Sequence, residues 1–356
     1  MVILHIACIK NDLFNGVCVA VPQHIRAQST LATVGLVNVN QMPIEGVAYQ
    51  LDYENDFDVN ALPSPFCKPD IVVFHEAYRI EYLKIARNLN RNKIPYVIIP
   101  HGELNREAQR KKRLKKMAAN ILLFNRFING AVAVQCLSQR ELDNTDFGRR
   151  KFIGSNGVSM PMCRKTAFRK DSVKFVYVGR LEMSIKGLDL MIEAVRLQAD
   201  SLRASGFSLD IYGPDHQGRA EAVEALIREK QVGDLISLHG PVTGAEKERV
   251  LLDADVFMQT SRTEGMPMGI LEALSYGIPC LVTEGTTLAG MIRSSDAGWG
   301  CETEAAALSQ MLLRAVAEKE QYASKSQHAV SFAEHHFAWE HIAAEAVKEY
   351  SKLCRM

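Results

Sequence analysis

Short runs rich in valine and isoleucine recur along the whole chain, and stretches with helical spacing separate them. This alternation constrains the fold more than any other feature. A run of four to eight apolar residues between turn signals reads as a strand buried on both faces, as in a parallel sheet covered by helices. The first half supplies strand candidates at Val2–Ile9, Leu31–Val37, Ile71–His75, Tyr96–Ile99 and Ala131–Gln135. The second supplies Lys174–Val178, Ser208–Tyr212, Ile236–His239, Val256–Gln259 and Cys280–Thr283. Helices are predicted between them, for example over Ile80–Asn90, Leu188–Leu202, Ala220–Lys230 and Gly269–Tyr276. The fold class is α/β.

The alternation pauses once. Phe152-Ile153 runs into Gly154-Ser155-Asn156-Gly157, and a polar stretch follows from Pro161 to Asp171. With 356 residues there is room for two domains. The expected division is a first Rossmann-like domain over 1–158, a second over 159–335, and a closing helix over 336–356 that returns to the first, with the two sheets facing a central cleft. Charge divides at the same place: residues 1–158 hold 20 basic and 14 acidic side chains, and residues 159–356 hold 22 and 27.

Composition excludes several classes. The formal net charge is +1, which gives no bulk field for holding nucleic acid. No run of 18 apolar residues is present, so a transmembrane helix is not expected. Met1–Ile9 lacks a basic n-region and reads as a strand, not a signal peptide. The eight cysteines form no C-x-x-C pair and no histidine cluster accompanies them, so a structural zinc site is not expected either. Free thiols without an export signal point to the cytoplasm.

Open parallel sheets bind ligands at the carboxyl ends of their strands, so the residues just after each strand carry the chemistry. Gly179-Arg180-Leu181 follows one strand, and Lys186-Gly187 opens the next helix. Two cations about 4 Å apart repel by roughly 4 kcal/mol at an effective dielectric near 20. A diphosphate would remove that repulsion; a solvated loop that happens to carry two bases is the alternative. After Val256–Gln259 comes Thr260-Ser261-Arg262-Thr263-Glu264-Gly265-Met266-Pro267-Met268-Gly269, with Glu272 further along the predicted helix. The free N–H groups at that helix start can hold anionic oxygens. Glu264 can accept hydrogen bonds from sugar hydroxyls, and Glu272 can reach a ribose diol.

These residues resemble the second domain of the family-4 glycosyltransferases, retaining enzymes of the GT-B fold. The resemblance rests on Val178-Gly179-Arg180-Leu181 with Lys186-Gly187, Leu209–Gly213, Val256–Glu272 and Gly277-Ile278-Pro279. In the first half it rests on Pro100-His101-Gly102 and Asn156-Gly157-Val158, and near the end on Phe337-Ala338-Trp339 with Tyr350. It implies that Arg180 and Lys186 bind a donor diphosphate and that Glu264 holds the donor sugar, with Glu272 on the ribose. Main-chain groups at Gly265, Met266, Pro267, Met268 and Gly269 would line the sugar–phosphate pocket. Tyr212, Gly213, His239, Gly240 and Val242 would border the base, and His101 would meet the sugar from the opposite wall. Gly16 would let the first loop approach the phosphate, although Asn15-Gly16 has one glycine where the family commonly has two.

The implied reaction moves a sugar from a UDP- or GDP-sugar to a glycan or lipid-linked acceptor, with retention, the leaving phosphate taking the acceptor proton. Arg180, Lys186 and the helix end would stabilise that phosphate without a metal or cofactor. Asp56-Phe57-Asp58 and Asp253-Ala254-Asp255 are the two Asp-x-Asp triplets, and neither follows a hydrophobic strand as a metal-binding triplet should. A basic segment, Arg106–Lys116, carries seven bases without interleaved aromatics. It is a solvated face or a contact for anionic lipid on the inner side of a membrane, and it is no nucleic-acid site. An NAD-dependent oxidoreductase could use the same βα units, but Gly-x-Gly-x-x-Gly is missing after the first strand. A sugar-nucleotide epimerase or a non-catalytic nucleotide binder is the third reading.

Overall fold

The computed structural model describes residues 1–110, 120–215 and 218–355. The chain forms two units, Met1–Gly157 with Trp339–Met356, and Val158–Ala338. The first contains seven strands: β1 (Val2–Ala7), β2 (Thr33–Asn38), β3 (Gln50–Leu51), β4 (Ile71–His75), β5 (Tyr96–Ile99), β6 (Ala133–Cys136) and β7 (Lys151–Ile153). They lie in the order β3-β2-β1-β4-β5-β6-β7, and every pairing is parallel. The second contains six: β8 (Val173–Val178), β9 (Phe207–Tyr212), β10 (Ile236–His239), β11 (Val256–Gln259), β12 (Cys280–Thr283) and β13 (Gly298–Cys301). Their order is β10-β9-β8-β11-β12-β13, again all parallel.

The central strands show why the apolar runs are unbroken. All residues of β4 and β11 are buried, because helices cover both faces of each sheet. Burying each Val, Leu, Ile or Phe side chain contributes about 1.5–3 kcal/mol. Three expectations need correcting. Ile236–His239 is an edge strand, and only Ile236 is fully buried. The predicted helix Leu188–Leu202 breaks at Gln198 into Leu188–Leu197 and Ala199–Ala204. The closing helix runs over Trp339–Cys354, after a separate helix Tyr322–Phe337.

The chain leaves the first unit after Gly157 and re-enters it at Trp339. Val158 donates its N–H to the Phe337 carbonyl at 2.7 Å, and Val158 and Ala338 form a parallel bridge. Within the first unit the helix Trp339–Cys354 packs on the helix Gly16–Gln28. There the Trp339 indole donates to Gln23 Oε1 at 2.7 Å, and Tyr350 donates to Gln135 Oε1 at 2.6 Å.

The Asp-x-Asp triplets have structural work. Asp58 accepts the N–H of Asn60 and caps the short helix Val59–Ala61. Asp255 is buried and accepts the N–H of Lys174 at 2.9 Å, while Arg169 bridges it to Asp253. The described cysteines are all free, and among the described residues no helix is long and apolar enough to cross a membrane.

Candidate active site

In each sheet the chain winds one way from the middle and then the other, so β1 and β4, and β8 and β11, flank a point where strand order reverses. Crevices at the carboxyl ends of such strands are where open α/β sheets bind ligands. In the second unit both loops at this point carry the charges singled out from the sequence.

After β8, Tyr177 donates its hydroxyl to the Arg180 carbonyl at 2.9 Å and fixes the turn. The Arg180 side chain stays exposed, with no hydrogen bond or ion pair among the described residues. A short helix, Met183–Lys186, ends at Gly187, whose φ of +66° is left-handed. A Cβ there would also lie 2.1 Å from the Thr260 carbonyl, so the close approach of the two loops requires glycine. Thr260 donates its hydroxyl to the Gly187 carbonyl at 2.8 Å and locks them together. Gly213, after β9, plays a similar part: a Cβ would sit 2.1 Å from the Gly179 carbonyl.

The lock brings Lys186 Nζ to 2.5 Å from Glu264 Oε1, and both side chains are largely shielded from water. The same oxygen accepts from Ser261 Oγ at 2.7 Å and Gln259 Nε2 at 3.1 Å, while Oε2 takes none of these bonds. The repulsion expected between Arg180 and Lys186 is therefore already offset by Glu264. Arg262 braces the loop from the other side through two 2.7 Å bonds to Asp189.

Gly265, Met266 and Pro267 lead from Glu264 into the helix Met268–Ser275, and no side chain caps its N-terminus. Its free N–H groups suit an anion. Gly269 packs close, since a Cβ would lie 3.2 Å from Phe257 Cζ and 3.4 Å from the Val178 carbonyl. Glu272 pairs with Lys247. On the far side of β8, Tyr212 stacks on His239 with ring centroids 4.5 Å apart and planes 14° apart. His239 Nε2 lies 2.9 Å from Asp210 Oδ1. Gly240 is open, and Val242 is buried close by in sequence. The candidates from Arg180 to Glu272 thus gather on loops and helix starts of one sheet. Sequence reasoning gave no role to Ser261, Gln259 and Lys247. Gln259 and Ser261 are two apart at the end of β11, which was the available signal for a shared face; Lys247 offered none.

Gly16 and His101 belong to the first unit. Gly16 opens the helix Gly16–Gln28 behind the Asn15 cap, and a Cβ on it would meet open space. His101 follows β5 at a φ of +49°, and the next residue, Gly102, donates its N–H to Glu141 at 2.6 Å. His101 stacks on His75 at 5.4 Å, its Nε2 3.1 Å from His75 Nδ1. His75 Nε2 lies 2.9 Å from His5 Nδ1, and His5 Nε2 lies 2.9 Å from Gln28 Oε1. Burial pushes His5 and His101 down to about 4 and His24 to about 3, and holds His75 well below the usual range. All four are neutral at pH 7. Ring nitrogens of His5, His24 and His75 lie within 4.8 Å of one another, so these three are the described residues that could converge on a metal ion. The group includes no carboxylate to offset a cation's charge, and His24 Nε2 is the ring atom without a hydrogen-bond partner.

Of the basic segment, only Arg106–Arg110 forms a described helix; residues 111–116 lie outside the described residues. Arg106 is tied to Asp146, with Nη2 2.6 Å from Oδ1.

Residues 162–331 match the model of the family described as glycosyl transferases group 1. The chain is 32% identical over 152 residues to the amylovoran biosynthesis glycosyltransferase AmsK of Erwinia amylovora, covering 40% of this chain and 35% of that protein. The chain thus spans little more than a third of the length of such relatives. Among solved structures it resembles sucrose-phosphate synthase from Thermosynechococcus elongatus, with a TM-score of 0.73 and 16% identity over 99% of this chain and 98% of that one. It also resembles HepE of Anabaena in complex with UDP and glucose, with a TM-score of 0.72 and 14% identity over 98% and 99% of the two chains. The fold is GT-B, two α/β units each built on a parallel sheet.

Proposed function

We propose that the protein is a retaining glycosyltransferase that moves a sugar from a UDP- or GDP-sugar to a glycan or lipid-linked acceptor in surface polysaccharide synthesis. One observation carries this reading. Lys186 and Glu264 arrive from two different strand ends, meet at the reversal point of the second sheet, and lie on loops next to exposed Arg180 and an uncapped helix start. The match to the glycosyl transferases group 1 covers this same region, and other relatives carry colanic acid biosynthesis in their names.

In this reading the ion pair holds the lysine charge in reserve. A donor diphosphate competes for Lys186, adds Arg180 and the N–H groups near Met268, and leaves Glu264 free to accept sugar hydroxyls. As the sugar–phosphate bond breaks, negative charge grows on the diphosphate and these donors stabilise it without reorganising. Removing one such donor typically costs about 2.7–4 kcal/mol of barrier. No metal is called on in this scheme, and the reaction takes place in the cytoplasm.

The test is a thermal-shift series with UDP and GDP, each with and without EDTA, followed by transfer from a radiolabelled UDP- or GDP-sugar to lipid extract. A nucleoside diphosphate at 100 times its dissociation constant adds about 2.7 kcal/mol of stability. Stabilisation that vanishes in Lys186→Ala but survives EDTA is expected. Stabilisation by NAD alone, or diphosphate binding that needs a divalent ion, would overturn the reading.

A further inference from the structure

Glu264 is held from two sides, and a bound diphosphate would treat them differently. On one side is Lys186, which an anion would draw away. On the other are Gln259, the last residue of β11, and Ser261, both neutral and buried. Gln259 Nε2 lies 3.1 Å from Glu264 Oε1 and 3.1 Å from Ser261 Oγ. An amide oxygen in that place would face a carboxylate oxygen, acceptor against acceptor, so the atom is the nitrogen. Its two hydrogens serve the two contacts. The amide oxygen lies on the other side, 3.6 Å from where a Cβ on Gly269 would stand. The single hydrogen of Ser261 Oγ goes to the same Glu264 Oε1, at 2.7 Å. The three side chains close a triangle in which every donor hydrogen is used.

Lys186 is the third donor on an oxygen that has two lone pairs. When it leaves, two donors remain for two lone pairs, and Oε2 takes neither. The backbone under the triangle is itself pinned. Thr283 donates its hydroxyl to the Ser261 carbonyl at 2.8 Å, and a Cβ on Gly285 would lie 2.1 Å from that carbonyl oxygen. Thr260, between Gln259 and Ser261, is locked to Gly187. We propose that Gln259 and Ser261 are positioning residues that keep Glu264 Oε1 at the end of β11 when a diphosphate takes Lys186, and so leave Oε2 as the oxygen that meets the sugar. Without them the carboxylate would follow the lysine charge. The use of Oε2 toward a sugar rests on the transferase reading; the hold on Oε1 does not.

Two measurements test this, and the first needs no activity. Lys186→Met removes the ammonium from Glu264, as a diphosphate would. A crystal structure of that variant should keep Glu264 Oε1 within hydrogen-bond distance of Ser261 Oγ and Gln259 Nε2. A carboxylate swung away from both would overturn the proposal. The second is a double-mutant cycle on turnover with the nucleotide sugar that the wild type uses. Gln259→Met keeps the length of the side chain and removes its donors, and Ser261→Ala removes the hydroxyl. Each should lower kcat about tenfold, because a misplaced group loses rate steeply. The dissociation constant of UDP or GDP, whichever binds, should stay within about threefold, since the diphosphate donors are untouched. In a Glu264→Ala background each change should cost less than about a further twofold. A merely structural role would repeat the tenfold loss there, or weaken diphosphate binding as well, and either result would overturn the proposal. If Glu264→Ala turns over too slowly to follow, the Lys186→Met structure decides. A wild type that transfers nothing would defeat the transferase reading, while that structure still settles what holds Glu264.

Discussion

The two units share one topology and solve the same problem with opposite chemistry. At the reversal point of the second sheet, polar side chains are charged and paired: Lys186 with Glu264, Arg262 with Asp189, Glu272 with Lys247. At the reversal point of the first, His5 on β1 and His75 on β4 are neutral and joined by hydrogen bonds. The second unit gives each of these charges a partner of opposite sign, for which a charged ligand can compete. The first buries His5, His24 and His75 and keeps these imidazoles uncharged. A shared backbone plan therefore says where a site lies and leaves open what it binds.

Acid should separate the units, and this is the largest expected effect. In the unfolded chain these histidines protonate near 6.5, but burial delays protonation of the folded forms to about 4 for His5 and about 3 for His24. The unfolded chain therefore binds more protons below pH 6.5, and stability falls on acidification. Each imidazole costs about 1.4 kcal/mol per pH unit across that window. In the second unit, Lys325 holds the Asp296 carboxyl below its ordinary value, so its contribution is lost only as pH falls through that lowered range. The chain has two tryptophans, Trp339 against His24 in the first unit and Trp299 in the second. Fluorescence of Trp299→Phe should report unfolding between pH 6 and 4, before Trp339→Phe does. Coincident transitions would show that the imidazoles do not set the acid limit.

The opposite weakness belongs to the second unit. Asp255 is almost wholly buried, and Lys165, itself 6% exposed, lies 3.5 Å away. Burial lowers the Lys165 pKa, and Asp255 opposes that shift. Asp255→Ala would leave a buried ammonium uncompensated and should cost about 3 kcal/mol, read by urea denaturation through Trp299. A loss below about 1 kcal/mol would show that water reaches Lys165, and would blur the contrast with the first unit.

The difference between the units also explains what was readable in advance. Val256–Gln259 and Ile71–His75 were legible because strands buried on both faces leave unbroken apolar runs. Glu264 was legible because it stands in a glycine-rich loop between such a strand and a helix start, and Lys186 because it follows Arg180 in the segment after another strand. The strand Gly298–Cys301 was missed, because glycine is depleted in strands and Gly298 and Gly300 hide the pattern. The line of histidines was missed for a different reason. His5, Gln28, His75 and His101 sit on separate elements with no common spacing, and only the pairing of β1 with β4 joins two of them. Neutral partners also leave no charge pattern to count.

The smallest expected effect is the one most specific to function. The Arg180 side chain is exposed and bonds to nothing in the described protein, so its removal should leave folding alone. Arg180→Ala should keep the wild-type melting temperature and lower kcat/KM at least tenfold, a loss of about 1.4 kcal/mol of transition-state stabilisation. Lys186→Ala differs, because it also strips Glu264 of its closest partner, and it should lower both turnover and stability. The pair of variants separates two uses of a cation that the sequence presents identically. If Arg180→Ala melted early, the residue would be structural. If it turned over at the wild-type rate, the positive field at the second sheet would come from Lys186 and the helix start alone.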